Sequence, residues 1–344
     1  MRHSPHPNSA YTVGWISALP TEMAAAKGMR DEIHGAPQSS PVRKGRNSYL
    51  LGSLSGHKVA LTSLPVDGMG GSSAAVVAAN MLSMFPNVRI GLLVGIGGGI
   101  PNYDGPKTRD IRLGDVVISS DQKSGGVIAH DFGRRLGDGT FEDNYHLNRP
   151  PRLLRTALSH MEMEHMVQGN QISDHIHPSM QKDGFGLPAE AHDILFEANY
   201  QHEGGATCAT CNPDRAIRSR PDHPDRKPVI HYGVIASGSS IIKHAPTRDQ
   251  IMKEHNAICV DREAIGLMNH FTSLVIRGIA DYADSHKNDQ WHAYAAATAA
   301  ACAKELLQYV PLREKNQAET AKRGLRWLDP IKSYMRVLSG RGKS

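Results

Sequence analysis

Cysteine, aromatic residues and long apolar runs are all scarce in this chain. Four cysteines occur among 344 residues, and aromatic residues make up 6% of the chain. So few cysteines argue against a disulfide-stapled secreted domain. Residues 1–10 are polar and rich in histidine and proline, unlike a secretory signal peptide, and no apolar run is long enough to cross a bilayer. We therefore expect a cytoplasmic protein without a membrane partner.

An excess of positive charge is confined to the end of the chain. The formal charge is +5, but residues 312–344 alone hold nine Lys and Arg against three Asp and Glu. The remainder is close to neutral, and nucleic-acid binding depends on many cations, so we expect no nucleic-acid partner. We interpret 312–344 as a basic tail or linker; an interaction segment around Trp327 and Tyr334 is the alternative.

Two sequence features suggest a bound metal or cofactor without supporting one fully. Cys208 and Cys211 have the spacing of a metal-binding turn, but the second pair of a zinc site is missing. His202 and His223 flank the turn and are able to complete four ligands, yet we expect a loop without metal. Gly95-x-Gly97 lacks the third glycine of a dinucleotide fingerprint, so we expect no nicotinamide cofactor.

Short apolar runs alternate with helical patterns from Tyr11 onward, which predicts an α/β domain. We assign residues 1–10 to a disordered N-terminus and 11–311 to the domain, with a less regular insertion at about 150–228. Residues 49–54 and 57–64 predict a hairpin. Thr247-Arg248-Asp249-Gln250 matches a capping box that begins a helix. Further helices are predicted at 20 onward, 74–84, 151–164, 188–200, 261–271 and 290–309.

One predicted strand ends in a carboxylate. Residues 273–281 read SLVIRGIAD, a run that is typical of a strand buried on both faces of a parallel sheet. Ligand sites of open α/β sheets lie beyond the carboxyl ends of the strands, so Asp281 is a candidate for chemistry. A solvated aspartate that caps the following helix is an equally good interpretation from position alone.

Five glycine-rich or acidic strand ends carry a family resemblance: Ala18–Glu22, Gly68–Gly71, Gly95–Gly99, Asp261–Ala264 and Arg277–Asp281. In this order the chain resembles the nucleoside phosphorylase superfamily over about residues 11–310. It is more similar still to phosphorylase-like N-terminal domains of fungal NLR-type proteins, which share VGIGGG, DIRLGD and RGIADYADSHK. The resemblance implies a single three-layer α/β/α domain with a mixed, mostly parallel sheet, no cofactor, and a homo-oligomer.

The resemblance also implies an enzyme that breaks the N-glycosidic bond of a purine nucleoside or nucleotide. Asp281 would protonate the leaving base, Glu22 would orient and activate water, and Glu263 would bind the ribose hydroxyls. General acid or base help of this kind is worth ~100- to 10,000-fold in rate. Glu22 and Glu263 also have a structural interpretation, as acids that stabilise the first turn of a helix.

The same resemblance implies which residues would contact the purine and the attacking water. The purine would lie against Ile241 and Ile242, with Gly97 and Gly98 leaving room for the ring. Gly70, before the 74–84 helix, would offer backbone amides to an anion or to the attacking water. Ile241 and Ile242 are ordinary core residues on any other interpretation.

Departures from the superfamily pattern leave the reaction open. Arg262 stands where methionine is usual, and would either pair with a neighbouring acid or bind a nucleotide phosphate with Lys243, Arg248 and His244. No arginine occurs in Pro20–Glu22 or Gly95–Gly99, where phosphorylases bind phosphate, so hydrolysis is preferred to phosphorolysis. Phosphate would have to be bound from the loop that contains Arg43, Lys44 and Arg46. A catalytically silent nucleoside-binding or regulatory module is the third hypothesis.

Overall fold

A computed structural model describes residues 3–38, 47–103, 108–138, 141–142, 147–189, 192–218, 220 and 225–312. The chain divides into a compact unit, Met1–Val310, and a second unit, Pro311–Ser344. The basic loop of Arg43, Lys44 and Arg46, the candidate ligand His223, and Trp327 and Tyr334 in the tail lie outside the described residues.

The strands of the described residues are β1 (Val13–Ser17), β2 (Glu32–Gly35), β3 (Leu50–Leu54), β4 (His57–Ser63), β5 (Ile90–Gly99), β6 (Val116–Ser119), β7 (Val127–Ala129), β8 (Arg134–Arg135), β9 (Phe141–Glu142), β10 (Ile230–Ser237), β11 (Ala257–Asp261) and β12 (Ser273–Asp281). The α-helices are α1 (Pro20–Gly28), α2 (Gly71–Met84), α3 (Arg152–Gln168), α4 (Ile172–His175), α5 (Pro178–Met180), α6 (Ala245–His255), α7 (Ala264–Leu267) and α8 (His292–Gln308). Three short 3₁₀ turns and a π turn, Gln181–Phe185, complete the described elements.

Ten strands form one mixed sheet in the order β11-β10-β6-β12-β5-β1-β4-β3-β2, with β7 beside β10. Parallel pairs dominate its centre, where β1 and β12 flank β5 in parallel register. The sheet also closes on itself, because β11 pairs with β10 on one side and runs antiparallel to β5 on the other. This closure brings the carboxyl ends of β11 and β12 to the same part of β5.

Apolar side chains on both faces of the central strands hold the layers together. Trp15, Leu92 and Leu274 pack on one face with α1, α3 and α8, whereas their chain neighbours Ile16, Leu93 and Val275 pack on the other with α2 and α7. Burial on both faces is why these strands are continuous apolar runs. The predicted mixed α/β fold with helices on both faces of the sheet is confirmed.

Close packing of α8 depends on a glycine in β12. A Cβ on Gly278 would lie 1.8 Å from the carbonyl oxygen of Ala295 in α8. The many alanines of α8 are buried against the sheet for the same reason, since small side chains let the helix lie close to it. The strand that ends in Asp281 is therefore held firmly, between its neighbours in the sheet and against α8.

Several predicted elements differ from the structure in extent or type. The hairpin is confirmed as antiparallel β3 and β4. The predicted helix 188–200 is wrong for the described residues 192–200, because Phe196 and Tyr200 stack on His286 and hold the segment in an irregular path. Helix α6 begins at Ala245, so Thr247 lies inside it and bonds His244 Nδ1 at 2.9 Å instead of capping.

Two other segments also depart from expectation. The predicted helix 261–271 shortens to α7, Ala264–Leu267. A Cβ on Gly266 in this helix would lie 1.7 Å from the carbonyl oxygen of Gly71, so α7 is packed tightly against the start of α2. Residues 3–10, for which we expected disorder, contact the fold, since the buried Ser4 hydroxyl lies 2.7 Å from that of Tyr11.

The insertion contributes to the main core. Leu154, Ala157, Leu158 and Met161 of α3 are buried in the same cluster as α8. Among the helices of the described residues, none is long and apolar enough to cross a membrane.

Candidate active site

A cavity of about 220 Å³ lies at the carboxyl ends of β1, β5, β11 and β12. It collects eight of the nine residues that the sequence singled out: Glu22, Gly97, Gly98, Ile241, Ile242, Arg262, Glu263 and Asp281. Gly70 does not line it, although its neighbour Met69 does. The acids come from three separate parts of the chain, and only the fold brings them together.

A fully buried arginine stands behind these acids. Arg277, in the middle of β12, donates from Nε and Nη2 to Asp261 Oδ2 at 3.0 and 2.5 Å, and from Nη2 to Glu263 Oε2 at 3.4 Å. Burial lowers the pKa of this guanidinium, but the charges of Asp261, Glu263 and Glu22 outweigh burial and raise it above its ordinary value. Arg277 is therefore a permanent cation inside the protein.

Glu22 meets Arg277 across a glycine. A Cβ on Gly95 would lie 2.3 Å from Glu22 Oε1 and 2.6 Å from Arg277 Nη1, so only glycine allows the two side chains into this space. Glu22 also accepts three backbone amides, from Ala18 at 2.6 Å, Leu19 at 2.9 Å and Ile96 at 2.8 Å. Its pKa is raised by burial, against the lowering effect of Arg277 and these amides.

Burial and the excess of negative charge in the group raise the pKa of Glu263. Three buried carboxylates share the one guanidinium, and burial raises the pKa of Glu263 to about 7, with Asp261 and Glu22 adding to the rise and Arg277 opposing it. Glu263 therefore takes up a proton at a higher pH than an ordinary glutamate does. Asp261 Oδ1 is buried and has no hydrogen-bond partner among the described residues.

Asp281 and Lys287 both line the cavity and form an ion pair. Lys287 Nζ donates to Asp281 Oδ2, and the backbone amide of Ala283 donates to Oδ1 at 2.8 Å. The aspartate is 5% exposed. This geometry excludes the interpretation of Asp281 as a solvated cap of the next helix.

The glycines of β5 serve strand packing. A Cβ on Gly97 would lie 2.7 Å from Cys259 Sγ, and one on Gly98 would lie 2.9 Å from the Cβ of Ala283 and 3.0 Å from Asp281 Oδ1. Both glycines also line the cavity, so the role that the sequence gave them, room for a purine ring, stays a prediction. Ile241 is 52% exposed and lies at the edge of the cavity, with Ile242 beside it.

Arg262 lines the cavity without pairing to its neighbours. Its Nε is buried and has no hydrogen-bond partner among the described residues, while Asp261 and Glu263 bond Arg277 instead. Its guanidinium lies near Gly70, whose Cβ would be 3.8 Å from Nη2. The proposed helper Arg248 is excluded, because it is buried and bonds Asp249 Oδ1 at 2.7 Å and the Tyr282 carbonyl at 3.1 Å.

Two functional residues were missed in the sequence. Arg277 is a charge in the middle of a buried strand that is otherwise apolar until its last residue, Asp281, and a charge in that position needs buried partners. Lys287 gave no such signal, since lysines in loops are common, and only the turn after β12 brings it to Asp281.

Comparison with known proteins identifies relatives of this site and fold. A sequence model of the phosphorylase superfamily matches residues 12–310. A nucleotide-binding leucine-rich repeat (NLR)-like protein of Hyaloscypha variabilis is 42% identical over 301 residues, which are 86% of this chain and 29% of that protein. The ATP nucleosidase Cap17 of Escherichia coli (strain KTE188) is 24% identical over 307 residues, 86% of this chain and 50% of that protein. The chain thus spans half or less of the length of these relatives.

Solved structures with the same fold include two nucleoside-cleaving proteins. The 5'-methylthioadenosine/S-adenosylhomocysteine nucleosidase of Neisseria meningitidis, in complex with methylthio-immucillin-A, has a TM-score of 0.55 at 17% identity and covers 86% of this chain and 98% of its own. Futalosine hydrolase of Helicobacter pylori strain 26695 has a TM-score of 0.53 at 15% identity, covering 87% of this chain and 97% of its own. At these identities the likeness concerns the fold alone.

The central role of Arg277 leads to a stability prediction. Arg277→Met leaves buried carboxylates without their cation, so we expect the free energy of unfolding at pH 7 to fall by about 3–5 kcal/mol. The deficit should shrink at pH 5, where the acids take up protons. Urea unfolding measures both values. Arg218→Met, at an exposed pair with Asp214, is the control and should cost about 1 kcal/mol or less; an equal loss in both variants would contradict the role of Arg277.

The raised pKa of Glu263 predicts a pH dependence. The folded pKa of about 7 exceeds the ordinary 4.5, so the folded protein holds a proton that the unfolded chain has released between these values. Stability from this group is present at low pH and is lost as the pH rises through that window. We expect the free energy of unfolding of the wild type to decline relative to Glu263→Gln from about pH 4.5 to pH 7. Parallel pH curves for the two proteins would contradict this.

Proposed function

The chain belongs to the phosphorylase superfamily, which confirms the resemblance found in its sequence, and on this premise we propose that it hydrolyses the N-glycosidic bond of a purine nucleotide or nucleoside. One observation carries the proposal: Glu22, Glu263 and Asp281 line a single cavity that also has an apolar wall. Such a cavity combines a surface for a flat base with acids for the sugar and for proton transfer.

The leaving base requires a proton, and Asp281 with Lys287 supplies it. The Lys287 ammonium donates to Asp281 Oδ2. Transfer of its proton along this hydrogen bond gives a carboxylic acid within the cavity and a neutral Lys287 amine, which regains a proton from solvent after the reaction. The acid protonates a ring nitrogen of the purine as the bond from C1′ to the base breaks. The electron pair of that bond leaves with the base, which departs neutral.

The ribosyl group becomes cationic as the bond breaks, and the buried acids stabilise it. Asp261 and Glu263 share Arg277, and together with Glu22 they exceed its charge. Preorganised negative charge in a site shielded from water stabilises a developing cation strongly. Glu263 also has acceptor oxygens for the ribose hydroxyls.

Water completes the reaction beside Glu22. Three backbone amides and the packing around Gly95 fix this carboxylate, and its raised pKa makes it a stronger base. Glu22 takes a proton from the water as the oxygen attacks C1′. The products are the free base and the sugar with a hydroxyl at C1′.

The charge distribution favours water over phosphate as the nucleophile. An approaching phosphate would meet the carboxylate of Glu22, while Arg277 is already bonded to Asp261 and Glu263. Lys287 is bonded to Asp281. Arg277 Nη1 also lacks a hydrogen-bond partner among the described residues, but it is buried next to Glu22 and does not line the cavity. Arg262 lines the cavity, and its buried Nε has no partner among the described residues.

That free nitrogen favours a phosphorylated substrate. A buried donor without a partner is costly, and a nucleotide phosphate would satisfy it. Arg262 and Glu263 are chain neighbours that both line the cavity, so a phosphate on a sugar bound by Glu263 is the group we assign to Arg262. The ATP nucleosidase named for the Escherichia coli relative supports the same substrate class.

Release of free base tests the reaction. Purified protein is incubated with adenosine, inosine, methylthioadenosine and ATP, with and without phosphate, and the free base is measured by chromatography. We expect release that does not depend on phosphate, and Asp281→Asn or Glu22→Gln should reduce kcat by ~100- to 10,000-fold. Asp174→Asn, on the surface of α4, is the control and should retain activity. Phosphate-dependent release would identify a phosphorylase, and binding without release would identify a silent nucleoside-binding module.

Substitution of Arg262 tests the substrate class. We expect Arg262→Met to raise KM for ATP by roughly 10- to 100-fold, because a charged hydrogen bond contributes about 1.5–3 kcal/mol. KM for adenosine should stay within about twofold, since adenosine has no group for the guanidinium. Steady-state kinetics on both substrates measures the difference, and an equal rise for both would contradict phosphate recognition by Arg262.

A further inference from the structure

A cluster of metal-ligand side chains lies outside the active-site cavity. The ligand atoms of His202, Cys208 and Cys211 all lie within 4.8 Å of one another. Cys208 begins a 3₁₀ turn, Cys208–Thr210, and Cys211 directly follows it, with its amide donating to the Cys208 carbonyl at 3.1 Å. Cys211 is buried and the other two side chains are half-buried.

We propose that His202, Cys208 and Cys211 bind a structural zinc ion, with His286 as the fourth ligand. Two thiolates and imidazole nitrogens are the donors that zinc prefers. Zinc–sulfur bonds of about 2.3 Å in a tetrahedral site place the sulfurs about 3.8 Å apart, so the observed spacing needs only small side-chain rotations. The sequence alone named His202 and His223 as possible partners of the two cysteines but favoured a loop without metal, because the second cysteine pair of a zinc site is missing. It did not suggest His286.

The surroundings of His202 resemble those of a zinc ligand. Its Nε2 lies 3.2 Å from the carbonyl oxygen of Thr207. Donation to that oxygen leaves Nδ1 with a free lone pair for the ion. Zinc-bound histidines commonly donate their other nitrogen to such a carbonyl, which fixes the tautomer and the ring orientation.

His286 has the second independent sign of a missing ligand. Both of its ring nitrogens are buried and neither has a hydrogen-bond partner among the described residues, although Nδ1 lies 3.8 Å from Asp284 Oδ1. His286 is outside the group whose ligand atoms lie within 4.8 Å of one another, so its ring must shift toward them to bind the ion. The ring is stacked on Phe196, with centroids 4.1 Å apart, and its centroid lies 5.6 Å from that of His202. Buried imidazole nitrogens without partners are unfavourable, and an ion bound between the two rings would satisfy one of them.

The proposed ion would tie the insertion to the loop that follows β12. Already the His202 amide donates to Ser285 Oγ at 3.0 Å, and Cys208 Sγ contacts the carbonyl of His286 at 3.7 Å. Lys287 follows directly and pairs with Asp281. Zinc would therefore hold in place the loop on which the active-site lysine lies, without touching the substrate.

Metal analysis of the full chain tests the site. We expect purified wild-type protein, prepared without a polyhistidine tag, to contain about one zinc ion per chain by plasma mass spectrometry. The double variant Cys208→Ser/Cys211→Ser should contain close to none. Cys302→Ala, which removes a buried cysteine of α8, is the matched control and should retain the metal.

A second measurement covers the case in which the double variant does not fold. Wild-type protein in which cobalt replaces zinc should show a thiolate-to-cobalt charge-transfer band in the near ultraviolet. Protein treated with a chelator should lose thermal stability, and zinc but not magnesium should restore it. A metal-free wild type, zinc retained by the double variant, or a Cys208–Cys211 disulfide detected by intact mass would each overturn the proposal.

The assignment of the fourth ligand has its own test. His286→Ala should weaken zinc binding at least tenfold in a chelator competition, while the cobalt charge-transfer band of the two thiolates persists. His175→Ala, on α4, is the control and should bind zinc as the wild type does. Unchanged affinity in His286→Ala would overturn the role of His286. Because every readout is metal content, spectrum or stability, failure of this proposal is distinguishable from failure of the proposed hydrolysis.

Discussion

The buried guanidinium of Arg277 is the interaction on which the site depends. It lies in the middle of an apolar strand with no exposed surface, and it is surrounded by Asp261, Glu263 and Glu22. Burial of one charge in this place would be prohibitive without the others. The acids exceed the cation in number, so the group keeps negative charge and a raised pKa at Glu263. The acids that stabilise the buried Arg277 are thus the same side chains that we propose to stabilise a cationic sugar.

The fold makes this cluster possible through close approach of its elements. Gly95 leaves space in which Glu22 and Arg277 meet, and Gly98 leaves space beside Asp281. On the outer side, Gly278 lets α8 pack directly against β12. Larger side chains at these positions would force the strands apart. The glycines of β5 therefore let charged side chains and strands share a small volume, whatever further part Gly97 and Gly98 have in binding a ligand.

Residues at strand ends were predictable, whereas residues that reach the site across the fold were not. Asp281, Glu263 and Glu22 follow apolar runs, and the carboxyl ends of neighbouring strands meet at one edge of a sheet. Lys287 and His286 lie on a loop whose path depends on contacts with the insertion, such as the stacking of Phe196 on His286. The same contacts explain why the helix predicted for 188–200 is absent from its described part: Phe196 and Tyr200 are buried against His286, which holds the segment in an irregular path.

The sequence by itself determined the α/β class, the order of the central strands along the chain, the family resemblance and the acids at the strand ends. These follow from local periodicity and from short patterns of residue type, which do not depend on distant contacts. Only the tertiary structure decided that Arg277 joins three acids, that Lys287 pairs with Asp281, that Arg248 is unavailable, and that His202 meets two cysteines. The physical reason is that burial, pairing and pKa depend on side chains far apart in the chain, and these become neighbours only when the sheet closes and the insertion packs against it.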